Sequence, residues 1–139
     1  MEAYIDTNVI LDAMLDRDEW AKPAKQILYA TAKQTITAAI STSALTDIFY
    51  FVQKNTNTEI AKKSIATLID LIYLLDVTSE DCIRALASEM TDFEDALIVS
   101  VAKRNDIKYI VTRNKKDFTD SSVTILSPDE FITLISPET

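Results

Sequence analysis

The stretch TDFEDALIVSVAKRNDIKYIVTRNKKDF, residues 91–118, decides the fold that the sequence predicts. Thr91 and Glu94 have the spacing of a capping box, which predicts a helix start and a structural role for Glu94. Residues 96–102, ALIVSVA, are apolar except for one serine, as in a helix buried between other elements. Residues 109–111, YIV, are a short β-prone run without alternation, which is typical of a parallel strand covered on both faces.

This helix and strand form half of a βαβ unit, which returns the chain to the sheet edge where the helix began. Asp95 lies at the start of the helix, and Asp117 follows the strand. Both acids are therefore expected to face the crevice at the carboxyl ends of the strands, where open α/β sheets bind ligands. Two acids brought together in this way suggest a cation site.

In the remainder of the chain, predicted strands and helices also alternate. Further strands are predicted at residues 3–5, 35–39, 73–77 and 123–126, each followed or preceded by a helical pattern. This alternation predicts an α/β protein with a parallel sheet wrapped by helices. Helix N-caps are predicted at Ser41 or Thr42, at Asn57, at Thr78 or Ser79, and at Ser127.

Length and composition predict one intracellular domain. The 139 residues, 47% of them hydrophobic, fit a single globular unit covering residues 1–139. The start, MEAYIDTN, has no apolar signal core, and the longest uncharged stretch, residues 34–46, is too short and polar for a membrane span. The single cysteine, Cys82, permits neither an internal disulfide nor a thiolate zinc site. We therefore expect a cytoplasmic protein without a membrane segment.

The residue types that are missing narrow the chemistry. The chain has no histidine, which excludes Ser-His-Asp and Cys-His catalysis and histidine zinc sites. It has no glycine, which excludes the phosphate-binding and dinucleotide-binding glycine motifs. Of the common kinds of catalytic site, the one that remains uses carboxylates that bind a hard metal ion. The net charge of −8 opposes nucleic-acid binding unless cations neutralise the acids and the basic residues are concentrated elsewhere.

Several acids share the predicted edge. Asp6 follows the first strand, and Asp47 lies on the rim of an apolar helical stripe. Crowded carboxylates repel one another unless a cation neutralises them. Mg²⁺ or Mn²⁺ bound by such oxygens can orient a phosphodiester and lower the pKa of bound water. The candidate catalytic acids are Asp6, Asp47, Asp95 and Asp117, with Asp92 one helical turn before Asp95.

Each of these residues also has a purely structural interpretation. An acid at a helix start is favoured by capping and by the helix dipole, and Asp117 could be an exposed turn residue. A run of basic residues follows the YIV strand, at Arg113, Lys115 and Lys116. By itself such a run is typical of a solvated turn, but beside a metal site it can hold a phosphate backbone.

Four segments carry a family resemblance: IDTNVILD (5–12), STSALTDIFY (41–50), DFEDAL (92–97) and IVTRNKKDF (110–118). In this order they resemble the PIN-domain ribonucleases, including the VapC-type toxins of toxin–antitoxin pairs. The resemblance implies a three-layer α/β/α sandwich with a central parallel sheet, whose acids bind Mg²⁺ or Mn²⁺ to hydrolyse RNA. It also implies a homodimer and, for a toxin, an antitoxin partner.

The resemblance also assigns roles to particular residues. It implies metal ligands at Asp6, Asp95 and Asp117, with a fourth catalytic acid at Asp47. The family usually has glutamate at this fourth position, so both a direct and a water-bridged contact of Asp47 with metal stay open. Asp92 is an additional acid, and Asp95 is favoured over it because Asp95 directly precedes the apolar run. The supporting residues implied are Thr7, Asn8, Asp92, Thr112 and Asn114.

Two other functions remain open on the sequence. A PIN-like module that holds RNA or a protein without cutting fits the acidic net charge and the short Asp47 side chain. A haloacid-dehalogenase-type phosphohydrolase fits an acid after the first strand, but that family needs a second aspartate where this chain has Asn8.

Overall fold

The structure is a computed structural model that describes residues 1–120 and 122–136. Within this part of the chain, strands and helices alternate. The strands are β1 Glu2–Ile5, β2 Thr37–Ser41, β3 Tyr73–Leu75, β4 Tyr109–Val111 and β5 Thr124–Leu126. The α-helices are α1 Thr7–Met14, α2 Ala21–Ala32, α3 Ala44–Asn55, α4 Thr58–Leu71, α5 Ser79–Ala87, α6 Phe93–Arg104 and α7 Pro128–Ile135. Short 3₁₀ turns cover Asp18–Trp20 and Lys115–Asp117.

The five strands form one sheet in the order β3-β2-β1-β4-β5, and every pair is parallel. The predicted strands are confirmed with small shifts of their ends. The second strand begins at Thr37 and not at Thr35, because the Thr35 amide donates to the carbonyl of Ala30 and closes the end of α2. Since β1 lies at the centre of the sheet, its carboxyl end lies between those of β2 and β4.

Hydrophobic layers cover both faces of the sheet. Ala3 and Ile5 of β1 belong to one core with side chains of α1 to α4 and α7, whereas Tyr4 belongs to a second core with side chains of α6. Ile10 and Ile27 are fully buried in the first core, and each contributes about 1.5–3 kcal/mol of apolar transfer free energy. The three-layer α/β/α sandwich with a central parallel sheet is confirmed.

Two predicted helix starts are wrong. Helix α6 is capped by Asp92, whose Oδ1 accepts from the Asp95 amide at 2.9 Å, so the Thr91–Glu94 capping box does not form. Helix α3 begins after Ser43, without a side-chain cap, because Ser41 is still part of β2. The predicted N-caps at Asn57, Thr78 and Ser127 are confirmed. The consequence for α6 is that the Glu94 carboxylate is not used in capping.

A buried ion-pair network attaches α5 to α6. Asp81 is fully buried and accepts from Arg104 Nε at 2.9 Å and from Arg84 Nη2 at 2.7 Å. Its other oxygen accepts from the Thr78 amide at 2.9 Å. Hydrogen bonds from Arg104 hold the pKa of the Asp81 carboxyl well below its usual range, against the opposing effect of burial. The network fixes the end of α6, the helix that has Asp92 as its N-cap and two more acids, Glu94 and Asp95, in its first turn.

In the described part of the chain, every helix is too short or too polar to cross a membrane.

Candidate metal centre

Asp6 is held rigidly at the carboxyl edge of the sheet. It follows β1 directly, and its amide donates to the Val111 carbonyl of β4 at 2.9 Å. Its carboxylate accepts from the Thr7 amide at 2.8 Å through Oδ1 and from the Thr112 hydroxyl at 2.8 Å through Oδ2. Burial raises the pKa of Asp6, and the charge of Asp92 adds to that effect, while the bonds from Thr112 and Thr7 oppose it.

The predicted supporting residues lie around Asp6. Thr112 is fully buried, and its hydroxyl accepts from the Asn114 amide at 3.1 Å while it donates to Asp6. Asn8 donates through Nδ2 to Asp6 at 3.4 Å. The Asn8 amide oxygen is buried and has no hydrogen-bond partner among residues 1–120 and 122–136. A buried oxygen without a hydrogen-bond partner is unusual in a folded protein and is explained where a ligand or water completes its contacts.

Among the acids of this region, Asp95 has the most strongly raised pKa. Burial raises its pKa to about 7, and the charges of Asp92, Asp6, Asp117 and Glu94 contribute to the increase. Asp92 acts on it from the N-cap of the same helix. Asp117 acts from the 3₁₀ turn that follows β4. The structure therefore brings acids from three separate segments of the chain close enough to influence the pKa of Asp95.

Glu94 is an acid of this region that sequence reasoning missed. Burial raises its pKa, and the charges of Asp47, Asp6 and Asp92 raise it further. The sequence contained the signal, an acid adjacent to Asp95 in the first turn of a helix, but the spacing from Thr91 favoured a capping role. We call the following residues the acid cluster: Asp6, Asp47, Asp92, Glu94, Asp95 and Asp117.

The acid cluster has the donor chemistry of a site for a hard cation. It offers carboxylate oxygens, which are the donors that Mg²⁺ and Mn²⁺ prefer, and the Asn8 amide oxygen, which has no partner among the described residues, is a donor of the same hard type. A divalent ion would relieve the repulsion that raises the pKa of Asp95. Among the described residues, no three acids already converge closely enough to hold one ion. The acids of the cluster therefore influence one another's pKa values without forming a closed set of ligands among the described residues.

The basic residues after β4 are largely engaged elsewhere. Arg113 donates from Nε to Asp12 Oδ2 at 2.6 Å and from Nη2 to Oδ1 at 3.1 Å, and its guanidinium lies 4.8 Å from the Trp20 ring centre. Asp12 is buried, so this pair connects the loop after β4 to α1. Lys115 donates to Glu130 at 2.7 Å. Lys116 is exposed and forms no ion pair within the described part of the chain.

The fold is that of an α/β protein with a parallel sheet, and the acid cluster lies at the carboxyl edge of that sheet, where open α/β sheets bind ligands. The family model of the PIN domain matches residues 2–116. The chain therefore belongs to the PIN-domain family, as its sequence motifs predicted. No curated protein sequence matches it significantly.

Solved structures of toxin–antitoxin systems share the fold. VapBC2 from Rickettsia felis, bound to a DNA fragment from its promoter, has a TM-score of 0.68 at 18% identity, covering 91% of this chain and 98% of that chain. A toxin–antitoxin complex from Klebsiella pneumoniae has a TM-score of 0.67 at 22% identity, covering 91% and 97%. VapC20 from Mycobacterium tuberculosis, a toxin that cleaves the sarcin–ricin loop, has a TM-score of 0.63 at 16% identity, covering 78% and 86%.

Proposed function

We propose that this protein is a metal-dependent endoribonuclease that hydrolyses RNA phosphodiester bonds. The observation that carries the proposal is the convergence of four acids on Asp95, whose pKa is raised to about 7 by burial and by the charges of Asp92, Asp6, Asp117 and Glu94. Such crowding costs stability in the absence of a compensating cation. Proteins retain it where perturbed carboxylates serve a function.

The proposed ligands of Mg²⁺ or Mn²⁺ are Asp6, Asp95 and Asp117. A bound ion would polarise the scissile phosphate and lower the pKa of the attacking water. Asp47 provides a fourth carboxylate for a direct or water-bridged contact with the ion. The acids also exclude phosphate from the site until a cation is bound, because like charges repel.

The supporting residues position these acids. Thr112 and the Thr7 amide fix both oxygens of Asp6, so its carboxylate needs little rearrangement on ligand binding. Asp92 caps α6 and thereby holds the backbone of Asp95. The Asn8 amide oxygen is available to accept a hydrogen bond from a ligand. Lys116, with Arg113 and Lys115 where their ion pairs permit, is proposed to contact the RNA backbone.

We further propose that the protein is the toxin of a toxin–antitoxin pair, acting in the cytoplasm as a homodimer and inhibited by an antitoxin protein. The support is the PIN-domain family together with a fold shared with VapBC complexes. The sarcin–ricin loop named for VapC20 makes a structured ribosomal RNA one substrate to test. Co-purification with the product of an adjacent small reading frame, and release of nuclease activity when that product is removed, would support this role.

A second candidate function is a non-catalytic module that binds RNA or a protein. The observation in its favour is that no three acids of the described residues are already close enough to share an ion. This candidate predicts RNA or protein binding that does not respond to metal and leaves RNA intact.

Cleavage of labelled single-stranded and hairpin RNAs separates the two candidates. The assay compares wild type, Asp95→Asn and the control Asp70→Asn, each with Mg²⁺, with Mn²⁺ and with EDTA. Asp70 is an exposed acid near the end of α4, close to the amino end of β3 and away from the cluster. We expect metal-dependent cleavage that Asp95→Asn reduces roughly a hundredfold or more and that Asp70→Asn retains. Binding without cleavage under all conditions would favour the second candidate.

A further inference from the structure

A small cavity lies between α3 and α6, directly beside the acid cluster. Its volume is about 250 Å³, and its walls include Phe93, Leu97 and Ala44. Phe93 is the first residue of α6, and 48% of its surface is exposed. Leu97 lies one turn later on the same helix. The cavity therefore has an apolar wall with an accessible aromatic ring, one residue from the cap Asp92 and two from Asp95.

The floor of the cavity is a chain of hydroxyl groups. Tyr4 Oη lies 2.6 Å from Ser41 Oγ, and the Ser41 amide donates to Tyr4 Oη at 3.2 Å. Burial raises the pKa of Tyr4 to about 12, so its hydroxyl stays protonated. Ser43 donates to Ser41 Oγ at 3.3 Å and is itself exposed. A hydroxyl has two acceptor sites as well as its proton, so Ser43 can still accept from a bound group.

The charge at the rim determines which chemical group can enter. Asp47 and Glu94 line the opening. Two carboxylates repel a phosphate group and accept hydrogen bonds from N–H donors. A flat ring that stacks on an aromatic side chain and carries amino hydrogens meets both requirements. Carboxylates recognise the exocyclic amino group of a base in this way in other nucleic-acid complexes.

We propose that this cavity binds an unpaired nucleobase bearing an exocyclic amino group, stacked on Phe93, from the RNA strand whose phosphate is held at the acid cluster. The assignment rests on the proposed ribonuclease function and adds a substrate-selecting subsite to it. It predicts that adenine, cytosine or guanine is preferred over uracil next to the scissile bond.

Nucleoside binding followed by amide NMR of the whole protein tests the subsite without metal, phosphate or cleavage. Adenosine is compared with purine riboside, which lacks only the amino group, and with uridine. We expect adenosine to shift the amide signals of residues lining the cavity, and purine riboside and uridine to bind at least severalfold more weakly. Phe93→Leu should weaken adenosine binding roughly tenfold, whereas Phe93→Tyr should retain it.

Tyr73→Leu is the matched control, because Tyr73 is an exposed aromatic residue at the amino end of β3, away from the cavity. It should bind adenosine as wild type does. Equal binding of the three nucleosides, equal binding by Phe93→Leu and wild type, or no shift at the cavity would overturn the proposal. If RNA is cleaved but nucleosides do not bind the cavity, the proposed base-binding subsite is wrong and the proposed ribonuclease function is retained. If adenosine binds through Phe93 but no RNA is cut, the proposed ribonuclease function is wrong.

Discussion

At the residue scale, Asp6 shows most clearly how the sequence produces the site. A β-prone run ending in an acid predicted that its carboxylate would lie at the sheet edge, and the structure places it there with Thr112 and Thr7 as its partners. The partner Thr112 lies 106 positions away in the sequence. Local patterns contain no information on such a contact, so only the family resemblance indicated it.

Replacing Thr112 tests whether this hydrogen bond positions the carboxylate. Thr112→Val keeps the shape of the buried side chain and removes the bond to Asp6 Oδ2. We expect Mn²⁺ affinity and RNA cleavage to fall roughly tenfold, as for loss of a group that orients a metal ligand. Calorimetric Mn²⁺ titration and initial cleavage rates measure both effects. Thr133→Val on α7 is the control, because its hydroxyl donates to the Asp129 carbonyl and, among residues 1–120 and 122–136, to no acid of the cluster. Wild-type affinity in Thr112→Val would contradict the positioning role.

Glu94 illustrates why one acid was missed. Thr91 with Glu94 and Asp92 with Asp95 offer two overlapping helix starts, and both satisfy the rules for caps. The choice between them depends on how α6 packs against the sheet, which is a tertiary effect. The charge environment of Glu94 depends in turn on Asp47 of α3, a neighbour that only the folded chain brings to it.

Two of the three basic residues after β4, Arg113 and Lys116, are expected to have different roles. Lys116→Ala should reduce the slope of log affinity against log salt concentration for RNA binding by about one, because one phosphate contact is lost. Arg113→Lys should instead lower thermal stability, since lysine cannot replace the paired contacts to buried Asp12. Filter binding over a salt series and thermal melts measure the two effects. A salt slope that changes in Arg113→Lys but not in Lys116→Ala would reverse these assignments.

At the element scale, the elements themselves were predicted well, but the starts of α3 and α6 were not. Strand YIV and the helix before it were recognisable because both faces of the sheet are covered, which leaves an apolar run with no alternation. The start of α3 was placed too early because Ser41 and Thr42 are good caps by residue type. Pairing of Ser41 with Leu75 of β3 extends β2 through that position instead.

The attachment of α5 to α6 predicts a specific loss of stability. Asp81→Asn should lower the free energy of unfolding by about 2–3 kcal/mol at pH 7, less than for a fully buried pair because the Arg104 side chain is 34% exposed. Urea denaturation measures this change. Glu80→Gln is the control, because Glu80 is 81% exposed and its pair with Arg84 at 3.6 Å adds little. Equal stability of Asp81→Asn and wild type would show that the network contributes nothing.

The same ion pairs predict a pH dependence. Because the pKa of Asp81 is lower in the folded than in the unfolded state, its contribution is present above the unfolded value of about 3.9 and is lost as pH falls through the folded value. Wild type should therefore lose more stability than Asp81→Asn when pH is lowered from 5 to about 2. Urea midpoints at several pH values test this. Parallel acid profiles for the two proteins would contradict it.

At the scale of the whole molecule, the net charge of −8 is explained in part by where the acids lie in the fold. Six acids form the acid cluster at one edge of the sheet, where the proposed cation would compensate their charge. The absence of histidine and glycine from the sequence is enough by itself to exclude histidine catalysis and glycine-rich phosphate loops. The fold class followed from the alternation of strands and helices, because short parallel strands require helical crossovers. The pairing of distant residues, such as Arg113 with Asp12, could not be predicted from any local pattern.

Direct measurement of Mn²⁺ binding by electron paramagnetic resonance tests the central claim, because it needs no knowledge of the RNA substrate. Wild type, Asp95→Asn and Asp70→Asn are titrated at pH 7.5 with their folds checked by circular dichroism. We expect wild type and Asp70→Asn to bind Mn²⁺ equally and Asp95→Asn to bind it at least roughly tenfold more weakly. Absence of Mn²⁺ binding by wild type, or equal affinity in all three proteins, would contradict the proposal that the acid cluster is a metal centre.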